Sequence, residues 1–349
     1  MIKILTATNK KALNAGPKAK LDIVKILKNE YGEKVQEETV DLIDKSLDGK
    51  KNNILDKMYN FINTFKLIIK NINCKDIIVI QYPFIKDSFL KLLPKEKTII
   101  LVHDLMGLRI NNVEKQKKEL ETLNKFKYII VHNRKMRHYL EINKNKSNIF
   151  ELELFDYLCE KKENKTKYRE QLEVAYVGNL NRFKSPFIYQ LKDNIEYSLN
   201  LYGKGIEKRE INNGKIKYVG AYTPEELPNV IEANIGLVWD GNFDDSDENN
   251  DFKNYTKYNN PHKLSCYIAA DLPVIVWKKS AIADFVKKYD IGFIIENLYD
   301  INDIKKEDVI QKSENVKKIS VKVRNGEFTR EIFKKVIKNI ETYCEKERK

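Results

Sequence analysis

The amino-acid sequence predicts an α/β protein with two doubly wound, Rossmann-like domains, and three observations carry this prediction. The chain has 349 residues, enough for two to three domains of about 150 residues each. Short apolar runs alternate with longer segments of helical period, a pattern typical of parallel sheets. A charged stretch with almost no periodic apolar residues, 156–170, separates two such series and is interpreted as a linker.

Both halves repeat the order of strand and helix. The apolar runs of the first half predict strands at 2–6, 77–80, 98–102, 128–131 and 148–152. Helices are predicted at 52–71, where Leu55, Met58, Ile62, Phe65 and Ile69 form one stripe, and at 112–126. The second half predicts strands at 173–177, 197–202, 216–219, 235–239, 273–276 and 292–295.

These elements predict an N-terminal domain at 1–160 and a C-terminal domain at 171–327. A last helix, 328–349, is expected to pack back on the first domain. The polar, acidic stretch 241–257 is predicted to be a mobile loop. Open α/β sheets bind ligands at the carboxyl ends of their strands, so we expect the two domains to face each other across the active site.

Charge and composition limit the partners. Lysine and arginine number 64 against 51 acids, and the resulting net charge of +13 favours anionic partners. A nucleic-acid-binding protein without transferase activity is the alternative, motivated by basic stretches at 115–118 and 133–138. No known nucleic-acid module is recognised, so we expect no nucleic acid as a partner. The four cysteines show no CxxC pair, which argues against structural zinc and a disulfide framework.

The sequence also predicts where the protein works. No apolar run approaches the roughly 20 residues that span a bilayer, and the N-terminus leads directly into a predicted strand without a signal peptide. We therefore expect a cytoplasmic protein. A peripheral contact of its basic and aromatic positions with the inner face of the membrane is a further possibility.

The stretch 258–292 is the most informative. Asn260 followed by Pro261 predicts a helix that begins at Pro261 and is capped by the asparagine. Lys263 lies in the first turn, where its charge opposes the helix dipole unless an anion lies above it. We expect a phosphate there, bound by first-turn amides and by Lys263. The alternative is a well-capped helix with a solvated lysine.

A second candidate anion site lies at 174–185. A buried strand ends at Gly178, and Asn179, Arg182 and Lys184 follow at the carboxyl edge of the second sheet. Gly178 permits close approach of the backbone, while the planar guanidinium of Arg182 can bind a diphosphate. Asp240 ends another strand of this half. It either binds a sugar hydroxyl or simply begins the polar loop.

Two stretches of the first half follow strands in the same way. Gly16, directly after the first strand, predicts a tight turn whose amides face the ligand, or a purely structural turn. His103 and Asp104 end a later strand, with Arg109 one turn further along. Either His103 or Asp104 could remove a proton from an attacking hydroxyl. The alternative is that Asp104 caps the following segment and that His103 only packs.

Together these stretches resemble a known enzyme family. The second half resembles the nucleotide-binding domain of a GT-B glycosyltransferase. The whole chain resembles the bacterial family of glucosyltransferases that extend O-linked GlcNAc on serine-rich repeat adhesins, together with related galactofuranosyltransferases. The resemblance rests on NAGPKA, HDLMGLR, VGNLNRFKS, YVGAYTPEELP, GLVWDG and YNNPHKLSCYIAADLPVIVW, whose order and spacing cover nearly the whole chain.

This resemblance implies that a hexose, glucose or galactofuranose above all, moves from a UDP-sugar to a glycan or glycosylated protein. It implies that Arg182 and Lys263 hold the diphosphate, assisted by Asn260 and His262, with the uracil near Tyr218. It also implies assembly into a homo-oligomer. No metal and no cofactor besides the donor are expected, because cationic side chains and helix amides can neutralise the departing diphosphate.

The resemblance places the acceptor against the first domain. The expected acceptor residues are Gly16, Lys18, His103, Asp104 and Arg109. Many retaining members of the broader group carry two glutamates at positions that correspond here to Tyr258 and Cys266. Because neither residue is acidic, the resemblance does not set the stereochemistry. For an inverting reaction, Asp104 is the first candidate for the base.

Overall fold

The computed structural model describes residues 1–8, 15–43, 51–83, 85–143, 147–161, 171–191, 194–207, 214–243 and 251–346. The chain divides into two compact units. The first unit comprises Met1–Leu152 and Thr329–Lys349, and the second comprises Glu153–Phe328. No helix among these described residues is long and apolar enough to cross a membrane.

The first unit is built on a parallel sheet. Its strands are β1 (Ile2–Thr8), β2 (Val35–Asp41), β3 (Ile77–Tyr82), β4 (Thr98–Val102), β5 (Tyr128–Val131) and β6 (Asn148–Glu151). Its helices are α1 (Ala15–Tyr31), α2 (Ile54–Asn71), α3 (Asp87–Leu90), α4 (Met106–Arg109), α5 (Val113–Leu123) and α6 (Arg134–Ile142), with a 3₁₀ turn at Gly32–Lys34. The strand order β2-β1-β3-β4-β5-β6 is doubly wound, as predicted.

The second unit repeats this architecture. Its strands are β7 (Glu173–Asn179), β8 (Ser198–Lys204), β9 (Ile216–Gly220), β10 (Ile235–Val238), β11 (Val274–Trp277) and β12 (Gly292–Ile295). Its helices are α7 (Phe187–Gln190), α8 (Leu227–Val230), α9 (Asp251–Tyr255), α10 (His262–Ala269), α11 (Ala283–Tyr289) and α12 (Lys306–Arg324), with a 3₁₀ segment at Leu298–Asp303. The last helix, α13 (Glu327–Lys346), belongs to the first unit from Thr329 onward.

The strand order of the second sheet creates the feature that matters most for function. The sheet runs β12-β11-β10-β7-β8-β9, and every pair of neighbours is parallel. The chain moves outward from β7 to β8 and β9, then returns to the other side of β7 to form β10. The two directions diverge between β7 and β10, and such a switch point is where open α/β sheets bind ligands.

Strand β2 is absent from the elements that the sequence predicts. Its sequence VQEETVD contains no apolar run. Among the described residues it is an edge strand that pairs with β1, and such a strand needs few apolar side chains. Of its seven side chains, Glu38 and Val40 are buried. Burial alone would raise the pKa of Glu38, but the hydrogen bond from Asn71 and the charges of Lys70 and Lys3 outweigh it and lower that pKa.

Two further segments differ from the sequence prediction. Residues 156–161 of the predicted linker belong to the second unit, where Tyr157 is buried and its amide donates to the carbonyl of Val323. The remainder, 162–170, lies outside the described residues. The predicted loop at 241–257 contains helix α9, while 244–250 are not described. The apolar stripe predicted at 52–71 is present on α2, and the structure adds that it is exposed.

Candidate functional site

Helix α10 is anchored at the switch point by Tyr267. Strands β7 and β10 pair only at their starts, through Val174 with Ile235 and Ala175 with Gly236, and then separate. The Tyr267 hydroxyl fills the gap: it accepts from the amide of Val177 at 2.7 Å and lies 3.1 Å from the carbonyl oxygens of both Ala175 and Leu237. One buried side chain therefore satisfies backbone groups of both strands.

Gly236 makes room for this anchor. A Cβ atom at this position would lie 2.3 Å from Cγ of the Tyr267 ring, far inside van der Waals contact. The ring can lie flat on β10 only because residue 236 has no side chain. The position of α10 over the switch point therefore depends on a glycine and a tyrosine together.

The ammonium of Lys263 lies at the carboxyl ends of the same two strands. Its Nζ donates to Asp240 Oδ1 at 2.9 Å, to the carbonyl oxygen of Trp239 at 3.0 Å and to the hydroxyl of Tyr176 at 3.2 Å. It also lies 4.4 Å from the centroid of the Tyr176 ring. A Cβ built on Gly178 would lie 3.9 Å from Nζ, so the end of β7 passes directly beside the charge.

Tyr176 connects this ammonium to the loop after β7. Burial, and then the charge of Asp240, raise the pKa of Tyr176 well above its usual value, so its hydroxyl keeps its proton. The Ser185 hydroxyl donates to the carbonyl of Asn179 at 2.8 Å and therefore accepts from Tyr176 at 2.6 Å. Because all three hydrogens of the Lys263 ammonium are engaged, an arriving anion has to replace one partner. Of the three partners, only the Asp240 carboxylate carries a negative charge, so it is the one that an anion would replace.

Asn260 and His262 contact a segment at the start of the second unit, Glu153–Tyr157, which we call the strap. The Asn260 amide donates to the carbonyl of Glu153 at 2.7 Å, and the His262 ring stacks on Tyr157 with centroids 4.8 Å apart. The Nε2 atom of His262 lies 3.3 Å from the carbonyl oxygen of Asp156. These side chains, predicted to assist the diphosphate, hold α10 against the strap.

The N-terminus of α10 differs from the prediction. The helix begins at His262 rather than Pro261, and Pro261 is its N-cap residue without a side-chain cap. The predicted cap by Asn260 is therefore wrong, because its side chain is bonded to the strap instead. A proline N-cap brings no side-chain acceptor to the first-turn amides, which leaves that end of the helix electropositive.

The loop after β7 is shaped by its asparagines. Asn179 Oδ1 accepts from the amide of Asn181 at 2.9 Å, and Asn181 Oδ1 accepts from the amide of Phe183 at 2.8 Å. The carbonyl of Lys184 accepts from the amide of Gly241 at 3.2 Å, which ties this loop to the one after β10. Arg182 is exposed on the loop, with its guanidinium carbon 5.8 Å from the centroid of the Tyr189 ring.

Tyr218 lies in β9, two strands away from the switch point. Its hydroxyl donates to the carbonyl of Gly203 at 3.2 Å, near the end of β8. Gly203 pairs with Gly178 in the sheet, and a Cβ atom on Gly203 would lie 1.8 Å from the carbonyl oxygen of Gly178. The predicted uracil residue therefore belongs to the same carboxyl edge as Gly178.

The sequence did not predict a cationic cluster beside Asp240. Lys253 of α9 is buried, with its Nζ 5.0 Å from the ring centroid of Trp239 and 4.9 Å from that of Trp277. A small pocket between these rings also touches Asp240 and Pro261. Trp239 directly follows β10, and Trp277 is the last residue of the neighbouring strand β11. These two positions are the sequence signal that could have indicated the cluster.

A larger pocket of about 220 Å³ lies at the opposite, amino ends of the strands, near Leu172 and Asn234.

In the first unit, His103 is held by residues that the sequence did not indicate. Gln81 Nε2 donates to the carbonyl of Lys20 at 3.1 Å, so its Oε1 faces His103 Nε2, 2.8 Å away. This arrangement assigns the imidazole proton to Nε2 and leaves Nδ1 as the basic nitrogen. Lys20 Nζ donates to the carbonyl of Pro83 at 3.3 Å. Burial lowers the pKa of Lys20, and the Asp104 charge opposes this effect.

The remaining predicted acceptor residues are placed as follows. Arg109 Nη1 donates to Asp104 Oδ2 at 3.0 Å, and both side chains are partly exposed. Lys18 is buried and forms an ion pair with Asp22 at 3.0 Å, one turn further along α1. The structure brings Lys18 into the interior rather than to a surface. Gly16, predicted to form a turn before the helix, lies in the first turn of α1.

Two Rossmann-like units, each built on a doubly wound parallel sheet, are the architecture of the GT-B fold, and solved structures share it. The Anabaena protein HepE, crystallised with UDP and glucose, matches with a TM-score of 0.63 at 11% identity over 98% of this chain and all of that one (100%). WaaG, a glycosyltransferase involved in lipopolysaccharide biosynthesis, matches with a TM-score of 0.58 at 8% identity over 96% and 99% of the two chains. The predicted GT-B fold is confirmed.

Sequence relatives identify the family. The models of the N-terminal and C-terminal domains of glucosyltransferase 3-like proteins match residues 2–154 and 174–336. The β-1,6-galactofuranosyltransferase WbbI of Escherichia coli is 32% identical over 296 residues, which is 80% of this chain and 84% of WbbI. Glucosyltransferase 3 of Streptococcus gordonii is 24% identical over 70% of this chain and 72% of its own length. The chain therefore belongs to the glucosyltransferase 3-like family.

This membership confirms the predicted hexose-transferring glycosyltransferase. Both sequence relatives are named for the transfer of a hexose, galactofuranose in one case and glucose in the other. None of the relatives supports the nucleic-acid-binding alternative.

Proposed function

We propose that the protein transfers a hexosyl group from a UDP-sugar to a hydroxyl of a glycan or glycosylated protein, and that the donor diphosphate binds at the carboxyl edge of the second unit. The observation that carries the proposal is the position of the Lys263 ammonium, 3.0 Å from the Trp239 carbonyl after β10 and beside Gly178 at the end of β7. This is the switch point of a doubly wound sheet, where the fold class binds nucleotides.

In the proposed reaction, an acceptor hydroxyl attacks the anomeric carbon of the donor sugar. The bond between that carbon and the β-phosphate oxygen breaks, UDP departs with the electron pair, and the hydroxyl proton passes to a base. Negative charge grows on the diphosphate during this step. Lys263, the exposed Arg182 and the first-turn amides of α10 stabilise that charge electrostatically, and Asp240 releases Lys263 as the phosphate binds.

The other residues of this edge serve binding and positioning. Gly178, Asn179 and Lys184 are proposed to line the diphosphate site. Tyr218 is proposed to lie beside the uracil. Asn260 and His262 act through α10, because their contacts with the strap fix the helix that carries Lys263. The cluster of Lys253, Trp239 and Trp277 lies beside Asp240, where it suits contacts with the donor sugar.

The acceptor is proposed to use the carboxyl edge of the first sheet. His103, Asp104 and Arg109 lie there, joined by Lys20 and Gln81. His103 has a fixed tautomer and a basic Nδ1, while the Asp104 carboxylate is shared with Arg109. Both remain candidates for the base. Gly16 lies in the first turn of α1, and Lys18 supports that helix through Asp22.

A donor screen tests the function. The purified chain is incubated with UDP-glucose, UDP-galactose, UDP-galactofuranose, UDP-GlcNAc and GDP-mannose, and the free nucleoside diphosphate is measured with and without glycan acceptors. We expect slow release of UDP from one UDP-hexose, accelerated by the right acceptor. Release of GDP alone, or no release from any donor with any acceptor, would contradict the proposal.

Metal independence forms part of the proposal, because the cationic side chains supply the charge that a divalent ion supplies elsewhere. EDTA is expected to leave the rate unchanged, and a loss that Mg²⁺ or Mn²⁺ restores would overturn this part. A homo-oligomeric state, a cytoplasmic location and a contact with the membrane stay predictions from the sequence and its resemblance.

A further inference from the structure

Helix α2 turns its apolar side outward. Seven large apolar side chains on it are between 42% and 74% exposed, namely Ile54, Leu55, Met58, Phe61, Ile62, Phe65 and Ile69, and we call them the α2 face. The four residues that the helix buries are Asp56, Thr64, Ile68 and Asn71, three of which are polar. A surface helix of a globular protein normally shows the opposite arrangement.

The inverted orientation is held by specific hydrogen bonds. Asn60 donates to the carbonyl of Ile43 and accepts from its amide, both at 2.8 Å. Asn71 donates to Glu38 of β2 at 2.9 Å, and Asp56 forms a capping box with Asn53. Because polar side chains along the helix are bonded to the first unit, rotation of the α2 face into the core would break these bonds.

The exposed charged side chains of α2 itself are lysines, one of which, Lys70, is paired with Glu38 of β2 at 3.1 Å. Residues 54–71 contain Lys57, Lys66 and Lys70, and their one acid, Asp56, is buried in the capping box. With about 3.6 residues per turn, Lys57 borders the apolar stripe on one side while Lys66 and Lys70 border it on the other. Lysines along both margins of an apolar stripe are typical of helices that lie in the interface of an anionic membrane.

We propose that the α2 face docks on the surface of an anionic lipid bilayer, with the apolar side chains entering the acyl boundary and the lysines contacting lipid phosphates. Charge complementarity selects this occupant. A second copy placed on the same face would set lysine against lysine, with no exposed acid on the helix to compensate. An anionic bilayer satisfies both the apolar stripe and its positive margins. The inference goes beyond the proposed function, and the observations on α2 that carry it are independent of the donor site.

Aromatic packing gives the face a firm support. The rings of Phe61 and Phe65 are stacked with centroids 6.1 Å apart, and Phe61 lies 5.2 Å from the ring of Phe89, which is buried under the helix in α3. Leu55 and Met58 take no part in this aromatic packing, and both side chains are more than half exposed. They are therefore suited to substitutions that change the face without touching the core.

Flotation with vesicles tests the proposal. The full chain is mixed with phosphatidylcholine vesicles, with or without about a third of phosphatidylglycerol, and floated at moderate salt. We expect flotation with the anionic vesicles and at least tenfold less for the double variant Leu55→Ser, Met58→Ser. The variant Lys57→Glu, Lys66→Glu is expected to lose the preference for anionic lipid. The control Val321→Ser changes an apolar side chain of α12 with 49% exposure and is expected to float like the parent.

Two results would overturn the proposal. One is equal flotation of the parent chain and the Leu55, Met58 double variant. The other is a parent chain that does not float but forms a dimer that the double variant disrupts, which would assign the face to a second copy. The UDP affinity of each variant is measured in parallel and is expected to stay at the parental value. This separates failure of the docking proposal from failure of the proposed donor site.

Discussion

At the scale of single residues, the site combines positions that a sequence can indicate with partners that it cannot. Gly178 lies near the end of a strand, Asp240 follows a strand and Lys263 lies in the first turn of a helix, so their place at a carboxyl edge follows from chain order. Tyr176 contacts Lys263, and Gln81 contacts His103, only because of which elements of the fold become neighbours. That pairing is a property of the assembled sheet and leaves no local signal.

His103 is the residue whose chemistry the structure sharpens most. Its Nε2 faces Gln81 Oε1, which assigns the imidazole proton to Nε2, and in the proposed reaction Nδ1 is the nitrogen that accepts the proton of the acceptor hydroxyl. Replacing it, His103→Gln, is expected to lower kcat by about 10²- to 10⁴-fold, the range of a general base, without changing UDP affinity. Steady-state kinetics and calorimetry check the two values. If Asp104→Asn shows the larger loss of kcat, the base is Asp104 instead.

Asp240 is expected to compete with the donor for Lys263. The variant Asp240→Asn keeps the shape of the side chain but removes the charge that faces the ammonium at 2.9 Å. UDP should then bind several-fold more tightly, since a coupling of about 1 kcal/mol corresponds to roughly fivefold in affinity. Isothermal titration measures this change. Weaker UDP binding in this variant would show that the carboxylate supports the nucleotide site rather than competing with it.

At the scale of elements, the sequence predicts most strands but misjudges those whose environment is unusual. Buried strands such as β10 and β11 are apolar throughout and stand out from their surroundings. Strand β2 does not, since an edge strand needs few apolar side chains. Helix α9 follows an acidic stretch, yet Lys253 is buried between two tryptophans. Helix α2 has the predicted stripe, but amphipathicity alone does not state which face meets the core.

The anchor of α10 gives a prediction on stability. The variant Tyr267→Phe keeps the ring but leaves the amide of Val177 and the carbonyls of Ala175 and Leu237 without the hydroxyl that they share. Buried unsatisfied groups cost about 1–3 kcal/mol each, so the free energy of unfolding should fall by at least that amount. Urea denaturation measures it. The exposed tyrosine in Tyr222→Phe is the matched control, and equal stability of the two variants would contradict the anchoring role.

At the scale of the whole molecule, the presence of two parallel sheets follows from the alternation of strands and helices, whereas the exact boundary between Leu152 and Glu153 needs the structure. The last helix completes the first unit although it follows the second in sequence. Arg330 and Lys334 both pair with Glu30, at 2.9 Å and 2.7 Å. Phe333 and Val336, among others, are buried on the same helix.

A chain that ends at Phe328 is therefore expected to lose the first unit selectively. The buried apolar side chains of α13 contribute about 10 kcal/mol in total, which is comparable to the stability of a whole domain. Hydrogen exchange should show loss of amide protection in β1–β6 with protection retained in β7–β12. Uniform loss in both sheets, or no loss in either, would contradict the division into two units.

The central claim is that Lys263 binds the donor diphosphate, and calorimetric titration of UDP into the variant Lys263→Ala tests it most directly. The matched control, Lys317→Ala, removes an exposed lysine of α12 whose partner is Glu314. We expect the control to bind UDP like the parent chain. Lys263→Ala is expected to lose at least tenfold in affinity while still unfolding cooperatively, with a lower melting temperature because Asp240 loses its ion-pair partner. Parental UDP affinity in Lys263→Ala would contradict the account.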